Sequence, residues 1–161
     1  MKSIEIAQGK FATVDDDDYE CLSTEYWWWF HKDESHPIGY AQGQHKLSKK
    51  HVYMHRVIAE RMGIDVSGKL VDHINLNTLQ NTRSNLRPAT HSQSQHNKGL
   101  QCNNKSGYKG VSWWNKRELW IVQLNKGRKK FARCYFRSLL DAAQASMLLR
   151  YLAHGEFANL D

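Results

Sequence analysis

The chain has 161 residues, room for one ordinary domain or two small ones that share little core. Its formal net charge of +7 is polarised, with 3 basic and 9 acidic side chains in residues 1–40 against 20 basic and 7 acidic in residues 41–161. A polyanionic partner, nucleic acid first, fits that balance better than a small-molecule enzyme does. The longest apolar run, Tyr26–Phe30, is far too short for a membrane span, no apolar stretch follows Met1-Lys2 to suggest a secretory signal, and Cys21, Cys102 and Cys134 form no CxxC pair, so the reading is a cytoplasmic protein with no membrane partner, no disulfide framework and no structural zinc.

Residues 1–50 read as a β-rich leader. Lys10–Val14 has strand character. The acidic run Asp15–Asp18 suits the positive N-terminal end of a short helix that continues through Leu22. Four consecutive carboxylates point in different directions around a helix, which argues against a metal site there. Tyr26–Phe30 reads as a strand with alternating ring faces, one of them on the core. His36-Pro37-Ile38-Gly39 reads as a turn, and Gly39-Tyr40-Ala41 opens the next strand. His31, His36, His45 and His51 show no ligand spacing and read as surface residues.

Residues 51–98 form the second segment. Tyr53–Met62 has helical spacing, with Val57, Ile58 and Met62 on one side and Gly63 as a stop. Lys69–His73 reads as a short strand that ends in two functional side chains. Asn75–Arg83 is a loop rich in Asn and Thr, and Asn85-Leu86-Arg87 re-enters structure. Thr90–Lys98 reads as a polar helix with Thr90 or Ser92 as its N-cap.

Residues 99–106 read as a linker, and 107–161 as a separate small domain. Gly110–Trp114, Trp120–Asn125 and Lys130–Phe136 read as strands, with turns at 115–119 and 126–128. Trp113 and Trp114 fall on opposite faces of their strand, and Trp120 reads as core. Ser138 with Asp141 makes a capping box for a helix whose stripe of Leu139, Ala142, Ala143, Ser146, Leu149 and Ala153 ends at Gly155.

The block that carries chemistry is Val71-Asp72-His73-Ile74-Asn75, followed by Asn85-Leu86-Arg87 and the polar helix. Asp beside His at a strand end is common. Asp-His, an Asn thirteen residues after the Asp and then a polar helix, in a basic protein, is far more specific. "HRVIAE", "VDHINLN" and "NTRSNLRPATHSQSQHN" resemble the HNH endonucleases of phage and bacterial homing type, whose ββα-metal finger holds one divalent cation over a scissile phosphate. The resemblance implies a DNA endonuclease that leaves 5′-phosphate and 3′-hydroxyl ends, with Mg²⁺, or Mn²⁺ in its place, as cofactor. A single finger cuts one strand, so a monomer or weak dimer should nick double-stranded DNA.

Those residue types suit the reaction. His73, neutral near pH 7, can accept a proton from water as general base. Asp72, the next residue on an extended strand, points to the opposite face and is free to hold a hard cation. The Asn85 amide oxygen is placed to accept the imidazole N–H and fix its tautomer. The family has Asn or His as its last metal ligand, where this chain has Ser94. Ser94 completes the site, or His91 or His96 replaces it, or cleavage is lost and a DNA-binding regulator remains. Gln80 and Thr82 stand where the family often has Asp and Arg. Arg56, after the family-like His55, reads as a DNA contact. His55 itself reads as a helix-start hydrogen bond or a phosphate contact.

Ser106–Leu160, through "SGYKGVSWW", "LWIVQL", "FRSLLDAAQAS" and "HGEFANL", resembles the DNA-binding domain of plant ethylene-response factors, the AP-two type. That resemblance implies a three-stranded antiparallel sheet packed on one helix, with the sheet face in the major groove. Residues 98–137 carry 11 basic side chains against one acidic. Lys109, Lys116, Arg117, Gln123, Lys129, Lys130 and Arg133 are the expected DNA contacts, although any single lysine among them reads first as a solvated charge. Arg133-Cys134 replaces the Leu-Gly often found in that family. The fold class is α+β: a ββα-metal finger with a β-rich leader, linked to the sheet-and-helix domain.

Overall fold

A computed structural model describes residues 1–32, 38–126 and 129–160. The chain divides into two compact units, Met1–His91 and Ser92–Asp161. Parts of the turns expected at 36–39 and 126–128, with His36 and the Lys130 side chain, lie outside the described residues.

The first unit begins with an antiparallel hairpin, β1 (Lys2–Ala7) and β2 (Lys10–Val14), turned at Gly9 with φ +72°. Alternation sends Ile4, Ile6, Ala12 and Val14 inward. The acidic run opens α1 (Asp16–Glu25), which buries Leu22. A three-stranded antiparallel sheet follows, ordered β3 (Tyr26–His31), β4 (Tyr40–His45), β5 (His51–Tyr53). The aromatic strand resolves as its period demands. Tyr26, Trp28 and Phe30 pack on the core, while Trp27 is 53% exposed. The Trp28 indole N–H donates to Leu22 O at 2.8 Å. Its register partner in β4 is Gly43, where any Cβ would overlap the indole.

Helix α2 (Met54–Arg61) buries Met54, Val57 and Ile58 on one side, as the spacing predicts. Leu22, Met54 and Ile58 are fully buried, each contributing about 1.5–3 kcal/mol of transfer free energy. The unit closes with β6 (Leu70–His73) and β7 (Leu86–Ala89), antiparallel, with Asp72 opposite Arg87 and His73 opposite Leu86.

The second unit starts one residue into α3 (His91–Asn97). Thr90 precedes that helix, and Ser92 lies inside it with its Oγ 3.2 Å from His96 Nε2. The stretch read as a linker contains an ordered turn: Asn104 Oδ1 accepts from Gly107 N at 2.8 Å, and Asn104 Nδ2 donates to Tyr108 O at 2.9 Å. The antiparallel sheet is ordered β10 (Lys129–Phe136), β9 (Leu119–Lys126), β8 (Val111–Trp114). Helix α4 (Leu139–His154) covers one face, burying Ala142, Ala143 and Ser146, with Val111 and Val122 in the same cluster. Small residues on that stripe let helix and sheet approach closely. Ser138 Oγ accepts from Asp141 N, and Gly155 ends the helix at φ +56°.

Three contacts tie α3 into this unit. Arg150 Nη2 donates to His96 O at 3.0 Å, Asn159 Nδ2 donates to Asn97 O at 2.9 Å, and the His96 and His154 rings stack with centroids 3.6 Å apart. The carbonyls at a helix C-terminus lack intrahelical partners, and these donors supply two.

Candidate functional site

Strand β6 ends at His73 and β7 begins at Leu86, so loop 74–85 decides what surrounds the histidine. Its Asn and Thr side chains hold it. Asn85 Oδ1 accepts from Asn75 N at 3.0 Å, and Asn85 Nδ2 donates to Gln80 O at 2.8 Å. Thr78 Oγ1 donates to Gly39 O at 2.6 Å. The loop also joins the edge of β2, where Thr13 N donates to Leu79 O and Asn81 N donates to Thr13 O, both at 2.8 Å.

This frame places Asn81 on His73. Asn81 is 1% exposed, and its Oδ1 lies 3.1 Å from His73 Nε2. Its Nδ2 faces Thr78 O, so the amide oxygen faces the ring and the imidazole carries its proton on Nε2. Burial pushes the His73 pKa down, against the Asn81 hydrogen bond and the Asp72 charge, which raise it. The ring is therefore neutral at pH 7, the form a general base requires. The role expected of Asn85 falls to Asn81. Asn85 spends its amide on closing the loop, because the chain turns so that its side chain meets Asn75 and Gln80.

Asp72 is also differently placed than expected. Its Oδ2 accepts from Arg87 Nε at 3.1 Å and Arg87 Nη2 at 3.0 Å, and both residues are largely buried. The two stand opposite each other across the strand pair, and a carboxylate 8% exposed requires a counter-charge. Asp72 is thus an ion-paired carboxylate rather than a free one. Among the described residues no three His, Cys, Asp or Glu side chains converge on one point. That donor chemistry does not make a closed tetrahedral site. A hard cation such as Mg²⁺, which keeps most of its waters and needs one or two protein oxygens, is the kind a single carboxylate such as Asp72 suits.

Ser94 sits half-buried on α3. Of the two histidines weighed as its replacement, His91 opens α3, and His96 stacks on His154 and bonds Ser92.

The acidic run has a partner that local sequence does not show. Asp18 has no exposure and accepts from Arg61 Nε at 2.7 Å and from Arg83 Nε and Nη2 at 2.8 Å each. Asp15 Oδ2 accepts from Arg83 N at 2.7 Å. Arg83 lies two residues from Asn85 and Asn81, so the leader clamps the loop that positions His73. The Arg83 hydrogen bond, foremost, lowers the Asp18 pKa, with Arg61 adding to it against burial.

Residues 52–96 match the HNH endonuclease family model. That stretch is an HNH endonuclease domain. A protein of Acanthamoeba polyphaga mimivirus described as an uncharacterized HNH endonuclease is 37% identical over 105 residues, 65% of this chain and 52% of the relative. The chain thus spans about half the length of that relative. Protein 3.8 of Escherichia phage T7 is 34% identical over 92 residues, 56% of this chain and 74% of the relative. No solved structure matches.

The expected DNA contacts separate by what their side chains already bond. Arg56, in the HNH region, donates to Lys69 O at 3.3 Å and Val66 O at 3.1 Å, so it holds the loop after α2 instead of standing ready for phosphate. Lys109 donates to Asn159 O at 3.3 Å and likewise serves its own unit. In both cases the acceptors are backbone carbonyls outside the helices and strands.

Lys116 and Lys129 are exposed at the hairpin ends. Gln123 and Arg133 are exposed register partners on the sheet face away from α4. There the Arg133 guanidinium lies 6.0 Å from the Trp114 ring and 5.5 Å from Tyr135, and Arg117 lies 5.1 Å from Trp114. Trp113 pairs with Trp120 on the opposite face, with centroids 4.9 Å apart. Of the two tryptophans, Trp114 therefore joins the open face, as an aromatic floor for two arginines.

Proposed function

We propose that this chain is a metal-dependent, site-preferring DNA endonuclease that nicks one strand, with a finger that cuts and a C-terminal unit that docks. The observation that carries this reading is His73: buried, neutral and held through Nε2 by Asn81, so that Nδ1 bears the lone pair. In that tautomer the ring accepts a proton from water as the water attacks phosphorus. Asn81 prevents the ring from turning and stabilises the imidazolium that forms, as hydrogen-bond acceptors behind other catalytic histidines do.

Asp72 is the residue that would hold a divalent cation, Mg²⁺ first and Mn²⁺ in its place. When bound, such a cation neutralises phosphoryl oxygens and stabilises the leaving oxygen. Arg87 fixes the direction of the Asp72 carboxylate.

The resemblance of the C-terminal unit to the AP-two type supports docking on double-stranded DNA through the face that carries Arg117, Gln123 and Arg133. Lys116 and Lys129 add phosphate contacts at its ends. The test is a supercoiled plasmid incubated with Mg²⁺ or Mn²⁺, with and without chelator. Nicking that needs metal supports the reading. A protein that shifts DNA in a gel yet never nicks it with either metal contradicts it. Ser94 favours that second reading, a DNA-binding regulator derived from a nuclease, and restored nicking in Ser94→Asn would identify the serine as the cause.

A further inference from the structure

The sequence leaves His55 between a helix-start hydrogen bond and a phosphate contact, and its ring lies against the base. Its ring meets that of His73 edge-on, with centroids 5.2 Å apart and planes at 76°. Tyr53 stacks on it at 5.5 Å, and Tyr40 lies 5.4 Å from it and 6.1 Å from His73. The residue is 9% exposed. Neither of its ring nitrogens bonds a described residue, and no sealed side-chain nitrogen or oxygen among the described residues lacks a partner. The little surface His55 keeps must therefore include its polar edge. A ring needed only for packing would be served by Phe, without the roughly 1–3 kcal/mol that unpaired polar atoms cost in a nearly buried place.

A second feature points to an anion at the same place. His55 stands in the first turn of α2, whose N-cap residue Tyr53 makes no side-chain cap. The open N–H groups of a helix N-terminus carry partial positive charge and bind phosphate readily. The nearby Arg56 guanidinium is already bonded to loop carbonyls and does not serve there.

We propose that His55 donates a ring N–H to a non-bridging oxygen of the DNA phosphate that sits against His73, at the first turn of α2. The placement rests on the nuclease reading above, whereas the contact itself is a claim about phosphodiester binding. A neutral imidazole always carries one N–H, so His55 serves as donor while His73 serves as acceptor of a proton.

Two measurements on the full chain decide it. In ¹⁵N–¹H spectra of the histidine rings, with His55→Phe used for assignment, dimethyl phosphate should shift the His55 ring signals saturably, and matched sodium chloride should not. In plasmid nicking, His55→Phe should lose about 10–100-fold in rate, the range for groups that support a reacting centre, with gel-shift affinity changed less than about threefold. His55→Asn, which keeps an N–H donor, should recover part of that loss. An unshifted His55 ring overturns the proposal, and so does wild-type nicking by a folded His55→Phe. If the wild type itself never nicks, the nuclease reading falls while the ring shift still decides the phosphate contact. If His55→Phe fails to fold, His55→Gln replaces it in both measurements, assigning the ring signals and testing a retained donor.

Discussion

Asp18→Asn removes the charge at the centre of the clamp between the leader and the loop. The carboxylate has no exposure and accepts three N–H bonds at 2.7–2.8 Å from Arg61 and Arg83. Taking one partner from a buried ion pair costs about 3–5 kcal/mol. Here the arginine side chains are 36% and 37% exposed and can turn partly to water, so the lower end applies, about 3 kcal/mol. For a unit of this size that lowers the unfolding midpoint by roughly 12–24 °C.

The acid limb adds a sign. The folded pKa of Asp18 is lowered, so its contribution is complete above the unfolded carboxylate value of about 3.9 and is lost as pH falls through the folded value. Calorimetry of wild type and Asp18→Asn at pH 7, then down to pH 3, reads both effects. A midpoint loss below about 5 °C with an unchanged acid limb would refute the clamp.

Asn81→Ala should lower nicking about 10–100-fold by freeing the His73 ring. Asn85→Ala should act through stability, read as a lower unfolding midpoint, because its amide closes the loop. The pKa values of His55 and His73 are lowered by burial, so the unfolded chain takes up their protons first. Stability from this source is complete above about pH 6.5 and declines as pH falls below it, a decline that His55→Phe should flatten in thermal melts. On the sheet face, Arg133→Ala should weaken DNA binding in gel shifts and lower the slope of log affinity against log salt by about 1.

The secondary structure was largely legible because local patterns carry it. The alternation in Tyr26–Phe30, the Gly63 stop and the Ser138–Asp141 cap each act within a few residues. The Asp-His pair was legible for the same reason. What escaped depends on distant chain. Asp18 reads as one of four helix-start acids, and only folding brings it Arg61 and Arg83, 43 and 65 residues away. Lys2–Ala7 mixes Lys, Ser and Glu with two isoleucines and becomes a strand by pairing with β2.

Asn81 and Asn85 are chemically the same, so which one meets His73 depends on how loop 74–85 turns on the edge of β2. Asn81 could have been found as a second amide in the quoted "NTRSN" stretch. Arg56 and Lys109 read as DNA contacts because charge is visible in sequence, whereas the distant backbone carbonyls that take them are not.

The central claim is that His73, set by Asn81, is the base of a metal-dependent strand cut. The most direct test is single-turnover nicking of supercoiled plasmid in Mg²⁺ by wild type and His73→Ala, with gel shifts run beside it. The account predicts a chelator-sensitive nick in wild type that falls by at least about 100-fold in His73→Ala, the scale of lost general-base catalysis, while DNA binding is retained. Equal nicking by both proteins would contradict it.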